Sequence, residues 1–339
     1  MNTILVTGGC GYIGAHTIVD LIENGYNVIS IDNNSRSNPT ILDGVKKITG
    51  IDVKNYKVDL CNFDETHAIF QENENISGII HFAAYKAVSE SVEKPLEYYD
   101  NNLNSLINIL RCAAEFNVPH FVFSSSCTVY GNPLSIPVTE DSPFQPASSP
   151  YGATKQMSEE IIQSTLSTTS NMKAVLLRYF NPVGAHPSIA IGELPIGKPQ
   201  NLVPAITQTA IGKLPQMKVW GSDYDTKDGT CVRDYIHVCD IAHAHTLALQ
   251  FLEKEKNKNS CEIFNLGTGT GNTVLEMIKT FEKVSGVSLN YTLAERRAGD
   301  VVAIYANNDK AKNELQWQTK YNVEDMMRSA WEWEKQVKG

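Results

Sequence analysis

The run Thr-Ile-Leu-Val-Thr at Thr3–Thr7 is short, apolar and β-branched, and it stops at a glycine cluster, Gly8-Gly-Cys-Gly11-Tyr-Ile-Gly14. Such a run reads as a buried strand, and the spacing behind it predicts a helix over 15–23 that Asn24-Gly25 closes. Further strands are predicted over 26–31 and 53–59. The stretch 77–84 (Ser-Gly-Ile-Ile-His-Phe-Ala-Ala) is apolar without alternation, the pattern of a parallel strand covered on both faces. His81 inside it reads as a satisfied buried histidine. Leu103, Leu106, Ile107 and Leu110 recur at helix spacing within 98–117. Strands follow over His120–Ser126 and 174–180, separated by a loop broken at Pro133, Pro137, Pro143, Pro146 and Pro150 and by a helix that starts near Tyr151. This alternation predicts an α/β fold built on a doubly wound parallel sheet.

Beyond Gly184 the alternation weakens, with glycines and prolines through Pro204. The expected division is a dinucleotide-binding domain over 1–184 and a second, smaller substrate-binding domain over 185–339. The segment from about 232 to 266 is expected to pack back on the first. A chain of 339 residues is long enough for this arrangement. With 42% apolar and 20% charged residues it reads as an ordinary globular protein.

A formal charge of −9 and a pI near 5.4 exclude a general nucleic-acid or anionic-membrane binder, so any phosphate site must be local. The chain starts directly in a strand-like run, without the basic and apolar regions of a signal peptide. No apolar stretch has the length of a membrane helix. The seven cysteines are scattered, with no Cys-x-x-Cys, which fits reduced thiols in a cytoplasmic protein. His237, His243 and His245 lack a cysteine or carboxylate at metal-ligand spacing, so no metal is expected.

The strand, glycine turn and helix at the start form the opening of a dinucleotide-binding βαβ unit. Glycines let the backbone approach a pyrophosphate, and the helix N-terminus offers unpaired N–H donors. Asp32, at the end of the second strand, suits the ribose hydroxyls and repels a 2′-phosphate, which favours NAD over NADP. Arg36 is the opposing feature. Asp59 and Leu60 are candidates for the adenine, and Lys86 for a ribose or the pyrophosphate. Tyr151 and Lys155 lie one helical turn apart, so an ammonium can lower the pKa of a phenol and make it an acid/base. Many helices carry that pair by chance. Ser126, last of three serines at a strand's carboxyl end, can donate to the oxygen that Tyr151 deprotonates. Gly267-Thr-Gly269-Thr-Gly271 lacks a following Gly-Lys-Ser/Thr and reads as a turn before a helix over 275–281.

Taken together, the glycine turn, Asp32-Asn33, Ser126, Tyr151-x-x-x-Lys155 and Arg178-Tyr-Phe-Asn-Pro-Val-Gly-Ala-His-Pro187 resemble the extended short-chain dehydrogenase/reductase superfamily. Within it the chain resembles the UDP-glucose 4-epimerases over nearly its whole length, including Val232-Arg-Asp-Tyr-Ile-His237 and Phe264-Asn-Leu-Gly-Thr-Gly269. The resemblance implies a Rossmann fold with NAD held by Gly8, Gly11, Tyr12, Ile13, Gly14, Asp32, Asn33, Ser37, Asp59, Leu60, Phe82, Ala83, Lys86, Asn101, Ser126, Tyr151, Lys155 and Phe180. It implies a UDP-hexose held by Lys86, Ser126, Tyr151, Asn181, Asn201, Leu202, Arg233, Arg297 and Asp300, with Lys218, Val219 and Trp220 lining the uridine end. A homodimer is implied as well.

The resemblance makes Tyr151, Lys155 and Ser126 the catalytic set of a reversible inversion at C4, through a transient 4-keto sugar. Sugar-nucleotide 4,6-dehydratases of the same superfamily resemble a pattern with an Asp-Glu pair before Val-Tyr-Gly. Here Cys127-Thr128 stands there, which favours epimerisation. A binding protein that keeps the fold without catalysis is a third reading, opposed by the presence of all three catalytic residues. The family position that limits N-acetylated sugars falls on Ile304, intermediate in size, and leaves UDP-N-acetylhexosamines open.

Overall fold

The computed structural model describes residues 2–169, 171–297 and 300–338. The chain opens with β1 (Thr3–Thr7), α1 (Tyr12–Glu23), β2 (Asn27–Ile31), α2 (Ile41–Thr49), β3 (Asn55–Tyr56), α3 (Phe63–Glu72) and β4 (Ile76–His81). It continues through α4 (Val88–Glu93), α5 (Pro95–Glu115), β5 (His120–Ser126), α6 (Pro150–Thr168), β6 (Lys173–Tyr179) and β7 (Asn181–Val183). The remainder holds α7 (Leu202–Ala210), β8 (Met217–Trp220), β9 (Val232–His237), α8 (Val238–Glu253), β10 (Cys261–Leu266), β11 (Gly271–Thr273), α9 (Val274–Ser285), β12 (Tyr291–Ala294), β13 (Ala303–Ile304) and α10 (Val323–Lys338).

Seven parallel strands form the main sheet in the order β10-β6-β5-β4-β1-β2-β3. All five residues of β1 are buried because helices cover both faces. Ile4 and Val6 join one core with α1 and α8, whereas Leu5 joins the opposite core with α5 and α6. The strand order reverses between β1 and β4, so a crevice opens beyond their carboxyl ends, where doubly wound sheets bind ligands.

Some boundaries differ from the pattern. The helix predicted from 15 already begins at Tyr12, inside the glycine turn. The strand predicted over 53–59 shrinks to Asn55–Tyr56, an edge strand that pairs only with Ser30 and Ile31. The strand expected over 77–84 stops at His81, whose Nδ1 lies 2.8 Å from the Thr7 hydroxyl between stacked Phe121 and Phe123 rings.

After β7 the chain leaves the main sheet. β9 pairs with β7, β11 and β13, and β8 pairs with β12. A separate core forms from α7, α9 and α10 around Ile206, Met277, Phe281 and Met326. In between, α8 packs on α1 and β10 adds the seventh strand beside β6. The three C-terminal histidines hold structural posts: His237 Nδ1 accepts from Cys239 N as the cap of α8, His243 faces Asp20, and His245 Nδ1 bonds the Ile241 carbonyl. The turn from Gly267 has its amides engaged by the buried Asp234 carboxylate, at 2.8 Å from Thr268 N and 3.2 Å from Gly269 N. Among the described residues, no helix is long and apolar enough to cross a membrane.

Candidate active site

The turn from β1 into α1 is built around missing side chains. Gly8 has φ +70°, and a Cβ on it would lie 2.9 Å from Ala83 N; one on Gly14 would lie 2.3 Å from the Gly8 carbonyl oxygen. A Cβ on Gly11, the N-cap of α1, would meet only that same oxygen, so the space above it is open, and no side chain caps the helix. The turn into α1 thus has the glycine-built, uncapped form of a cradle that suits a pyrophosphate. Tyr12 is buried and donates to the Gly184 carbonyl, and Ile13 packs on the core.

Asp32 ends β2 with its carboxylate fixed, Oδ2 accepting from Cys10 N at 3.1 Å and Oδ1 from Ser37 Oγ at 2.8 Å. Arg36, the sequence feature that argues for a 2′-phosphate, is forked onto Glu90 at 3.0 Å and lies over the Tyr85 ring. That guanidinium already has its anion. Asn33 donates to Asp59, Leu60 is buried behind it, and Phe82 and Ala83 continue β4 to the cradle's rim. Asn101 donates to Asn102 Oδ1, and Asn102 in turn holds the Tyr85 backbone and Thr154 of α6. Nothing in the pattern of the sequence marks Asn102 as this clamp.

Helix α6 starts with a Ser149 cap, whose hydroxyl accepts from Gly152 N, and with Pro150 in its first turn. This start sets the facing of Tyr151 and Lys155 against the end of β5. The three serines there diverge: Ser124 Oγ pairs with the Tyr179 hydroxyl and Ser125 Oγ donates to Glu159, while Ser126 begins the turn to Thr128. Lys155 is 4% exposed, donates to the Ser124 carbonyl at 2.6 Å and sits over the Phe123 ring. Burial pulls its pKa down to about 7, against the opposing charge of Glu159.

The expectation that Lys155 lowers the pKa of Tyr151 does not hold for the chain's own groups. Burial pushes the phenol up and nearby Tyr179 adds to this, with only Ser126 opposing. The Lys155 Nζ lies 6.0 Å from the Tyr151 ring centre, and its proton is directed to a carbonyl instead. Burial penalises the ionic form of each partner, and a further positive charge beside the phenol would oppose that penalty on Tyr151.

On the other wall, Arg297 donates to Asp300 Oδ1 at 2.8 Å and Arg233 lies 3.7 Å from the same atom, so two guanidinium groups share one carboxylate. The residues between Arg297 and Asp300 lie outside the described ones. Lys86 and Asn201 come together on Glu193, and Leu202 opens α7 next to Asn201. In β8, Val219 is buried while the Lys218 ammonium lies over the Trp220 ring. Phe180 packs with Ile304 beside Cys127. Among the described residues, the Oδ1 of Asn181 and the Oγ1 of Thr128 are buried without a hydrogen-bond partner. Thr128 and Glu193 belong here, although neither carries a distinguishing sequence motif. Cys127 is a poor acid or base because burial lifts its thiol to about 12.

Over 331 residues the chain is 50% identical to the UDP-glucose 4-epimerase of Bacillus subtilis, covering 98% of this chain and 96% of that protein. The chain belongs to the UDP-glucose 4-epimerase family. A crystal structure of the Bifidobacterium longum UDP-glucose 4-epimerase in complex with NAD⁺ and UDP superposes with TM-score 0.95 at 45% identity, over 98% of each chain. The UDP-Glc/GlcNAc 4-epimerase of Campylobacter jejuni superposes at 0.84 with 37% identity, over 99% of this chain and all of that one. A broader family model, described as GDP-mannose 4,6 dehydratase, matches residues 5–330. Both matches span nearly the whole chain.

Proposed function

We propose that the protein reversibly inverts C4 of UDP-glucose and UDP-galactose with NAD as its cofactor. The observation that carries this reading is the convergence of Ser126, Tyr151 and Lys155 beside the glycine cradle, with neutral Cys127 and Thr128 where a dehydratase needs acid and base. Gly8, Gly11, Gly14 and Asp32 would hold NAD⁺, which when bound would supply a two-way hydride carrier and a positive charge that favours an ionised Tyr151. Tyr151 takes the proton of the C4 hydroxyl as hydride leaves C4, and returns it to the same oxygen once the keto sugar has turned and hydride has come back to its other face. Ser126 steadies that oxygen, and the buried Lys155, 6.0 Å from the Tyr151 ring, is the nearby cation. Arg233 and Arg297 grip the diphosphate through their guanidinium forks. Asn181, Asn201, Leu202 and residues 218–220 hold the uridine end, so that binding is concentrated away from the sugar that must turn.

Residues 1–184 then serve as the cofactor domain and 185–339 as the sugar-nucleotide domain, with 232–266 supporting the first. A homodimer through α5 and α6 is favoured by the outward Leu96, Ile107 and Met157, of which Leu96 is 81% exposed. Seven unpaired cysteines favour a cytoplasmic home.

The test is direct. Purified protein interconverts UDP-glucose and UDP-galactose without added reductant; net NADH or loss of water in place of interconversion overturns the reading. Ile304 is 4% exposed on β13, in register with Arg233 and packed near Cys127. Replacing it by tyrosine adds bulk where the sugar is expected. Ile304→Tyr should lower kcat/KM for UDP-N-acetylglucosamine relative to UDP-glucose by roughly tenfold or more, in line with steric discrimination in a closed pocket. An unchanged ratio removes Ile304 from the sugar site.

A further inference from the structure

Glu193 lies in the irregular segment between β7 and α7, far in sequence from every residue read as catalytic. Its backbone is tightly held. The Trp333 indole of α10 donates to the Glu193 carbonyl at 2.8 Å, and a Cβ on the preceding Gly192 would lie 2.5 Å from that indole. The side chain, 15% exposed, points the other way: Oε1 accepts from Asn201 Nδ2 at 2.9 Å and from Lys86 Nζ at 3.4 Å. One carboxylate oxygen thus joins the loop after β4, on the cofactor sheet, to the start of α7 on the facing wall.

Asn201 shows that the arrangement has a use. It occupies the N-cap of α7 in an extended conformation, a position where asparagine often accepts from its own helix. Its side chain makes no such bond and turns to Glu193. Pro204, third in the helix, has no N–H to offer a cap, and the Asn201 amide is held in a set direction by Glu193. Lys86 is the complement: its side chain is 56% exposed, so without Glu193 its ammonium would sweep freely on a four-carbon stem.

We infer that Glu193 is a positioning residue that holds Asn201 and Lys86 in one network across the cleft, so that both meet the UDP moiety in a preset geometry. This rests on the reading of Lys86 and Asn201 as ligand contacts. Glu193 contributes by removing the cost of ordering two flexible side chains when the nucleotide binds. Asn201 is therefore effective only while Glu193 holds it.

The experiment uses the full chain with its cofactor and compares wild type, Glu193→Ala, Asn201→Ala and the double variant. UDP affinity is read by titration calorimetry, alongside kcat and KM for UDP-glucose and Tm. Each single change should weaken UDP by roughly fivefold or more, and the double should be no weaker than the worse single, because contacting residues couple. KM should rise several-fold more than kcat falls, whereas a merely structural role would lower Tm and kcat and leave KM in place. Glu193→Gln keeps an oxygen for the Asn201 amide and should recover most of the UDP affinity. If Glu193→Ala does not fold, Glu193→Ser, too short to reach Asn201, reads the same coupling. Wild-type UDP affinity in the variant, or losses that multiply in the double, overturns the inference and leaves the proposed activity standing. A wild-type protein that binds no UDP overturns both.

Discussion

Tyr151→Phe should reduce kcat for UDP-glucose by about 10²- to 10⁴-fold, the usual contribution of a positioned acid/base, while UDP affinity stays near wild type. The ring and its packing are retained, so the loss reports the phenolic oxygen alone. Ser126 cannot substitute: its hydroxyl is a weak base and already accepts from Thr128 N at 3.2 Å. Lys155 donates to the Ser124 carbonyl at 2.6 Å. A coupled turnover assay with calorimetry on the same preparation separates the two effects. Turnover at the wild-type rate would remove Tyr151 from the chemistry.

The largest expected effect on stability comes from Glu159, one turn beyond Lys155 on α6. It is fully buried, with Oε1 accepting from Ser125 Oγ at 2.5 Å and Arg178 Nε at 2.9 Å, and Oε2 accepting from Arg178 Nη2 at 2.7 Å. Arg178 also donates to the Tyr130 hydroxyl, which in turn donates to Asn265 of β10. This network ties the helix of Tyr151 and Lys155 to β5, β6 and β10. Glu159→Ala leaves a buried guanidinium without its anion and should cost about 3–5 kcal/mol in denaturant unfolding. Glu159→Leu combined with Arg178→Met should recover most of that loss, because removing both charges leaves none uncompensated. A loss below about 1 kcal/mol for Glu159→Ala would mean that solvent reaches the pair. Removing Glu159 also takes away the charge that opposes burial at Lys155, so the lysine should lose its proton at still lower pH.

Much of this was legible in the residues. The unbroken apolar run of β1, the glycines behind it and the carboxylate ending β2 predict a nucleotide cradle because each acts on its immediate neighbours. The same holds for Ser149-Pro150, which starts α6 and so faces Tyr151 and Lys155 to one side. Asp32 already favours NAD over NADP in the sequence, with Arg36 as the opposing feature. Glu90, on α4, decides by taking the arginine. The phenol's pKa shows a related limit. Helical spacing brings an ammonium close, and only the surrounding core reveals that burial outweighs it and that the ammonium is directed to Ser124.

By itself, then, the sequence determined the strand and helix alternation, the glycine turn, and the placing of Ser126 at the end of a strand and of Tyr151 and Lys155 one turn apart on a helix, since backbone conformation, capping and periodicity are set within a few residues. Tertiary structure decided which charged groups are already engaged and which remain for a ligand. Arg36 is held by Glu90, Glu159 is locked to Arg178, and Glu193 holds Asn201 while reaching Lys86 across 107 residues of chain. The reason is that a side chain's partners and its dielectric surroundings depend on distance through space, which the packing of the sheet's two faces sets and local sequence does not.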